Sequence, residues 1–600
     1  MKSAANEFCQ WSGWEWGALL TTCLLSLLLV TYPIFDFDLF WHLANGREMV
    51  NSGHVISEEV FSYTHAGEHF SNHEWLAQIV LYLDWMTFGA VGLLGLKLIM
   101  TGIISWLLFR TLRNEQQSPA IALLLTVLAV LAGLDRYHER PELFSLLNLT
   151  LLSFILYGFR AQRLSRQWLW AIPVIMVMWD WLHGAVYGLT FLTLFMIGEN
   201  AKQRLPWFRH QFQHQLRHKT QLSHSDLKIL NRCFAITLLA MLLNPYGLLS
   251  YGIFVGYVVG EANFNLVIDE FLPISWEDSK VFILMCTWMV LLALRNWRRL
   301  DITQLLLVGV FTVAAIRFYR VGGVAAIVMA PVIANLLRIS INATDRVLEH
   351  KFYAGTLAAI GALTLWFGYA VKFVPDEPES DSDKYHYIKV YDLAFGYQMD
   401  ESIYPVGAVN FIRENHLIGN LYNSGNLGGY LSYYITPERK IFQYNMGRVF
   451  GDPLYYVRHP DELEKWHIDY AIVDSADELG TLFPDEQWAV VYHDEASVLT
   501  VRRTPQHAEL IAQHEVYVFN PVLSAASLLE RANDPEVLPI LAVEMGDYLD
   551  YRKDKRIAKI WARILASHAE LRNDRYIQEL LSHALKYNPD KKLEGMLNHA

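Results

Sequence analysis

The run WGALLTTCLLSLLLVTYPIF, residues 16–35, and a second, FYAGTLAAIGALTLWFGYAVKF, residues 352–373, each reach the roughly 20 residues a helix needs to cross a bilayer. Lipid offers the backbone no hydrogen-bond partners, so a chain with such runs is expected to fold as an α-helical polytopic membrane protein. The composition agrees, with 53% hydrophobic, 14% aromatic and only 18% charged residues, and the apolar excess lies before residue 375. The first run has no clear small-residue cleavage site before Asp36 and is expected to be a retained span. Cys9, Cys23, Cys233 and Cys286 all lie in or beside apolar segments, a pattern that suggests neither a disulfide framework nor a cysteine metal site. The net charge of −12 sits mostly in the C-terminal part and argues against nucleic acid as a partner.

Eleven spans are expected, at 14–35, 90–109, 119–134, 142–159, 168–180, 184–198, 232–260, 280–294, 302–316, 321–337 and 353–373. Basic residues collect in cytoplasmic loops. Here they fall at Arg110 and Arg113, at Arg160, Arg163 and Arg166, between Lys202 and Arg232, in RNWRRL, and from Arg338 to Lys351. An N-terminus inside places every cluster in the cytoplasm and everything after residue 375 outside the cytoplasmic (inner) membrane.

The domains expected are a transmembrane domain over 1–374 with its first outer loop at 36–90, an extracytoplasmic α/β domain over 375–520, and a helical, tetratricopeptide-like tail over 521–600. The α/β domain mixes helix-like VGAVNFIRENH and DELEKW with strand-like KIFQYN, DYAIVD, WAVVYHD and SVLTVRR, behind the hydrophilic linker PDEPESDSDK. The tail is a candidate docking module for a protein partner.

The same topology gathers ionisable residues at the outer face, where such groups usually line a cavity. Asp36 and Asp38 follow the first span directly; either could accept a proton, and Asp38 could equally cap the helix after it. His42 falls on that helix. His73 and Glu74 sit in SNHEW, which also reads as a capping box with Ser71 at the N-cap and Glu74 three residues on. Arg136 and Arg140 in DRYHER, and Arg317 and Arg320 in RFYR, offer planar forks of donors suited to phosphate; their structural alternative is pairing with Asp135, Glu139, Asp269 or Glu270. Asp180 and His183 interrupt an apolar stretch in WDWLHG, as substrate contacts or as a packing pair. Hard oxygen ligands at Asp36, Asp38 or Glu74 would suit magnesium or manganese; a divalent cation stays an open expectation and a structural zinc is not expected. NSGNLGGY lacks the spacing of a phosphate loop and a suitable buried strand before it, so a tight turn before a helix is expected.

Several of these words taken together, DFDLFWHLANGREMVNSG, FSYTHAGEHFSNHEWLAQIVLYL, RYHERPELFSLL, WDWLHGAVYGLTFL, LLNPYG, AIRFYRVGG and NLYNSGNLGGYLSYYITPERKIFQ, cover about residues 30–505. They resemble the GT-C class of integral-membrane glycosyltransferases, in particular its bacterial mannosyltransferase-like and RgtA-type members. The resemblance implies a polyprenyl-phosphate-linked sugar donor, an extracytoplasmic acceptor (glycan, lipid or protein), and an acidic residue of the first outer loop as base or metal ligand, a role that falls on Asp36 and Asp38. No sequon-binding motif or second acidic pair is matched. Two other functions fit the same residues: a transporter or flippase of lipid-linked intermediates, and a non-catalytic envelope assembly protein.

Overall fold

A computed structural model describes residues 12–115, 117–204, 222–249, 251, 272–275, 279–340, 398, 399 and, with breaks of one to three residues, 403–587. The span expected at 353–373, the linker PDEPESDSDK, Asp269 and Glu270 lie outside the described residues. Before residue 341 the described elements are helices: α1 (Gly13–Val30), α2 (Leu39–Ser52), α3 (Trp75–Asn114), α4 (Pro119–Ala132), α5 (Glu142–Arg160), α6 (Ala171–His183), α7 (Val186–Arg204), α8 (His224–Ala240), α9 (Lys280–Arg295), α10 (Ile302–Arg317) and α11 (Gly322–Ser340). Four segments, Gly13–Val30, Trp75–Asn114, Glu142–Arg160 and Tyr319–Ser340, are long and apolar enough to cross a membrane.

Large apolar side chains point outward along these helices, among them Leu20, Leu24 and Leu28 on α1 and Val91 and Ile99 on α3. In water such a surface would be costly; in a bilayer it is the lipid contact. Inside, α3 packs on α1, α2 and α5, and α11 packs on α4, α9 and α10. Helix α3 is broken at Gly89, whose φ of 62° and ψ of −149° suit only a residue without a side chain. The break divides α3 into a shorter part before Gly89 and a longer part after it.

Beyond residue 403 a four-stranded sheet has the order β1-β2-β4-β3, with β1 (Asn420–Asn423), β2 (Ile468–Val473), β3 (Trp488–His493) and β4 (Val498–Arg502). The pair β1–β2 is parallel and the other two pairs are antiparallel. Helix α12 (Val406–Glu414) precedes β1 and α13 (Gly425–Tyr434) follows it. Two expectations are corrected here. KIFQYN is not a strand; Ile441 makes only a single bridge, to Ser62 of the first loop. NSGNLGGY does follow a buried strand, since Leu421 to Asn423 are covered and paired to β2. The last described helices, α14 (Leu538–Tyr551), α15 (Lys555–Ser567) and α16 (Arg575–Tyr587), bury Leu541, Trp561 and Leu581 in a core of their own.

The sheet-bearing segment sits on the first loop. Helix α13 packs on α2, with Gly429 against the Phe37 carbonyl. Arg47 of α2 donates to the carbonyls of Tyr433 at 2.6 Å and Thr436 at 3.1 Å, the last turn of α13, where cations are favoured. Phe40 lies edge-on to Tyr404 and Tyr430. Tyr63 donates to the Leu421 carbonyl at 3.0 Å and Tyr444 to Glu59 at 2.5 Å. First loop and sheet therefore share one side of the bundle.

Candidate active site

The segment that leaves α1 carries Asp36 and Asp38, and the loop between α4 and α5 carries Arg140; both lie at the same end of the bundle. Arg140 pairs with the Asp36 carboxylate through Nε and reaches Asp38 Oδ2 with Nη2 at 3.3 Å. Asp36 also accepts the Asp38 backbone N–H at 2.8 Å, while its own carbonyl accepts from Tyr404 Oη at 2.9 Å. The side chains differ in access: Asp36 is 1% exposed and Asp38 22%. Burial alone would raise the Asp36 carboxyl; Arg140 beside it outweighs that and holds it below the ordinary carboxylate range. Asp38 occupies the N-cap position of α2, but its side chain makes no capping bond. Of the two alternatives read from sequence, the cap is not formed, because Arg140 offers the carboxylate a full charge where the helix offers only partial ones.

A second cluster lies alongside. Glu74 Oε1 is 3.4 Å from His183 Nε2 and 3.9 Å from His73 Nε2, and Glu74 Oε2 is 3.9 Å from His42 Nδ1. His183 Nδ1 is 2.8 Å from Ser145 Oγ, which also accepts from Trp179 Nε1 at 2.7 Å. Gln78 Nε2 approaches His42 Nδ1 at 3.4 Å, and its Oε1 accepts from Asn72 Nδ2 at 2.8 Å. The expected capping box is absent: α3 begins at Trp75 with Glu74 as its N-cap, without a side-chain capping bond, and the Glu74 carboxylate turns to the histidines. Burial depresses His42 to about 3, with Asp36 pulling upward and Arg140 and His73 pushing down. His42 joins the two clusters: its backbone N–H reaches the Asp38 carbonyl at 3.3 Å, while its ring faces Glu74.

Asp180 and His183 are not a packing pair. Asp180 accepts from Asn244 Nδ2 at 2.8 Å and His183 faces Glu74. Arg136 is held by Asp135 at 2.8 Å and Glu142 at 3.4 Å and is almost fully buried, the structural alternative given above. Arg320 lies 4.0 Å from the same Glu142 and keeps 21% exposure. Arg317 is exposed, with its guanidinium 5.1 Å from the Phe318 ring, and among the described residues no ion pair ties it to the site. The RFYR pair splits because Phe318 ends α10 in extended backbone, with φ −135° and ψ 109°.

Sequence reasoning missed the supports Gln78, Ser145, Asn244, Tyr404 and Lys97, and it named Glu139 only as a partner for the arginines. Lys97 of α3 and Glu139 are 0% and 1% exposed and pair at 2.8 Å; Lys97 also lies 3.8 Å from the Tyr32 ring centroid. Lys97 ties α3 to both site-bearing segments, and a lone Lys inside GLLGLKLIM was the signal, since a charge at membrane depth demands a partner. For a divalent cation the fit is poor. Arg140 already spans Asp36 and Asp38, and among the described residues no group of three or more His, Cys, Asp or Glu is arranged to hold a metal ion.

No protein-family model and no curated protein matches the chain. Solved structures do. The oligosaccharyltransferase of Archaeoglobus fulgidus, tethered to an acceptor peptide containing the NVT sequon, is 12% identical over 80% of this chain and 72% of that one, at a TM-score of 0.47. AglB from Archaeoglobus fulgidus, in complex with an inhibitory peptide and a dolichol-phosphate, is 11% identical over 78% and 70%, at 0.46. ArnT from Cupriavidus metallidurans, bound to undecaprenyl phosphate, is 12% identical over 82% and 98%, at 0.43.

Proposed function

We propose that the chain is a membrane glycosyltransferase that moves a sugar from a polyprenyl-phosphate-linked donor to a hydroxyl of an extracytoplasmic acceptor, with Asp38 as the base. The observation that carries this reading is the unequal pair: Asp36 is buried and committed to Arg140, while Asp38 is open to solvent and held by the same guanidinium. Two carboxylates in different surroundings take different roles. Asp38 takes the acceptor proton as the acceptor oxygen attacks the anomeric carbon; the bond from that carbon to the phosphate oxygen breaks, and the polyprenyl phosphate leaves. Single displacement inverts the anomeric centre. In this reading Arg320, at the same end and partly exposed, takes the departing phosphate, whereas Arg136 is engaged by Asp135 and Glu142.

A transporter of lipid-linked intermediates would use the same arginines but would not need Asp38. Mass spectrometry of surface glycans, lipids and proteins, with and without the gene, identifies the product. Cells carrying Asp38→Asn should insert the protein at the wild-type level yet form that product about 100-fold less, the scale of losing a general base. Full product from Asp38→Asn would remove the base assignment; no product difference on deleting the gene would remove the transferase reading.

A further inference from the structure

Where the first loop meets the sheet-bearing segment lies a cavity of about 210 Å³, lined by Thr64 and His65 of the loop and by Phe442, Gln443, Phe450, Tyr455 and Tyr456 of the segment. We infer that this cavity binds a saccharide ring of the acceptor, which makes the acceptor a glycan or a glycosylated molecule. The inference rests on the transferase reading and names its acceptor class.

The lining alternates ring faces with hydrogen-bonding edges, which is what a sugar presents in return: C–H faces and hydroxyl rims. The rings are held by their own polar atoms. Tyr455 donates to Glu462 at 2.8 Å and stacks one face on His459 with centroids 4.5 Å apart, while 38% of the residue stays exposed. Tyr456 accepts from Trp466 Nε1 at 3.0 Å. Phe450 is set edge-on between His65 and Tyr444, each at 4.8 Å. Thr64 donates its hydroxyl hydrogen to the Phe442 carbonyl at 2.5 Å, so the 2.9 Å contact with His65 Nδ1 makes Nδ1 the donor and leaves Nε2 as an acceptor. Gln443 gives one N–H to the Asn423 carbonyl at 3.3 Å and keeps its carboxamide oxygen.

Size and charge exclude other ligand classes. The volume is below the range of drug-sized sites, roughly 300–1,000 Å³, and suits one ring. No Lys or Arg lines the cavity and Glu462 holds Tyr455 beside it, so a phosphate would meet no countercharge. The cavity also connects to the site: Phe450 touches Tyr444, Tyr444 lies 6.0 Å from Trp41, and Trp41 lies 3.7 Å from His42, centroid to centroid. A row of buried aromatic rings thus links the wall of the cavity to the histidine beside Asp36, so that the cavity is fixed relative to the site through the core.

Saturation-transfer NMR on the full chain in lauryldimethylamine oxide micelles, a detergent without sugar, tests this with the methyl glycosides of glucose, galactose, mannose and N-acetylglucosamine. At least one should receive saturation on its ring protons, with binding in the millimolar range. The signal should fall at least fivefold in Tyr455→Ala and in His65→Ala and persist in Tyr455→Phe, which keeps the stacking face. It should also persist in Asp38→Asn, whose product formation is lost. Absence of a signal from all four glycosides, or equal signals in wild type and Tyr455→Ala, overturns the saccharide site and leaves the transferase reading standing. Glycoside binding that depends on Tyr455, in a protein that forms no product, retains the site and removes the transferase reading.

Discussion

At the scale of single residues, what distinguishes this site is that one guanidinium is shared by two carboxylates before any substrate arrives. Arg140 carries one positive charge between two carboxylates, and His42 is neutral because burial costs its cationic form more than the nearby Asp36 returns. The neutrality of His42 has a measurable signature. Its value falls from the ordinary 6.5 to about 3 on folding, so between those limits the unfolded chain binds a proton that the folded chain refuses. The stability His42 gives is whole above pH 6.5 and is lost as pH falls toward 3, at up to roughly 1.4 kcal/mol per pH unit. Thermal inactivation midpoints of solubilised protein should therefore drop between pH 6.5 and 4. The drop should be shallower in His42→Gln; identical slopes would show that His42 titrates freely in the fold.

At the scale of elements, the site depends on how closely α2 lies on α3. A Cβ at Gly46 would run into the Gln78 carbonyl and Tyr82 Cβ, so only glycine permits the contact that brings His42 to Gln78 and Glu74. Gly46→Ala is expected to destabilise by about 1–3 kcal/mol, the cost of overpacking, and to lower product formation with it. Wild-type melting and activity in this variant would mean that the two helices slide freely. The elements themselves were legible in the sequence wherever lipid dictates them. The long apolar runs that form α1, α3, α5 and α11 had to be helical. The site was legible as a set of residues but not as a set of partners. Ser71 to Glu74 and Asp38 match local capping patterns, and such patterns describe an isolated helix. In the fold Asp36 and Asp38 meet Arg140 and Glu74 meets His183, each just over a hundred residues away in sequence, and such a partner outcompetes a helix end.

At the scale of the whole molecule, the bundle and the sheet-bearing segment meet on the first loop, and Lys97 anchors that loop's base from below. Lys97→Met would leave Glu139 buried without its partner, at a cost of roughly 3–5 kcal/mol, whereas Lys97→Met with Glu139→Gln removes both charges and should recover most of that. Melting of the solubilised single and double variants checks this; a double variant no more stable than the single one would show that the pair is not coupled. The same pair bears on how the chain is made. Lys97 stands about 12 Å into the helix beyond Gly89, and Glu139 is synthesised some forty residues later. During that interval α3 carries an unaccompanied ammonium, a handicap of about 3 kcal/mol for entry into lipid. Helix α3 is thus poorly suited to partition alone and would be retained at the insertion machinery until α4 and the turn bearing Glu139 emerge. On this argument α3, α4 and that turn would enter the membrane as one unit.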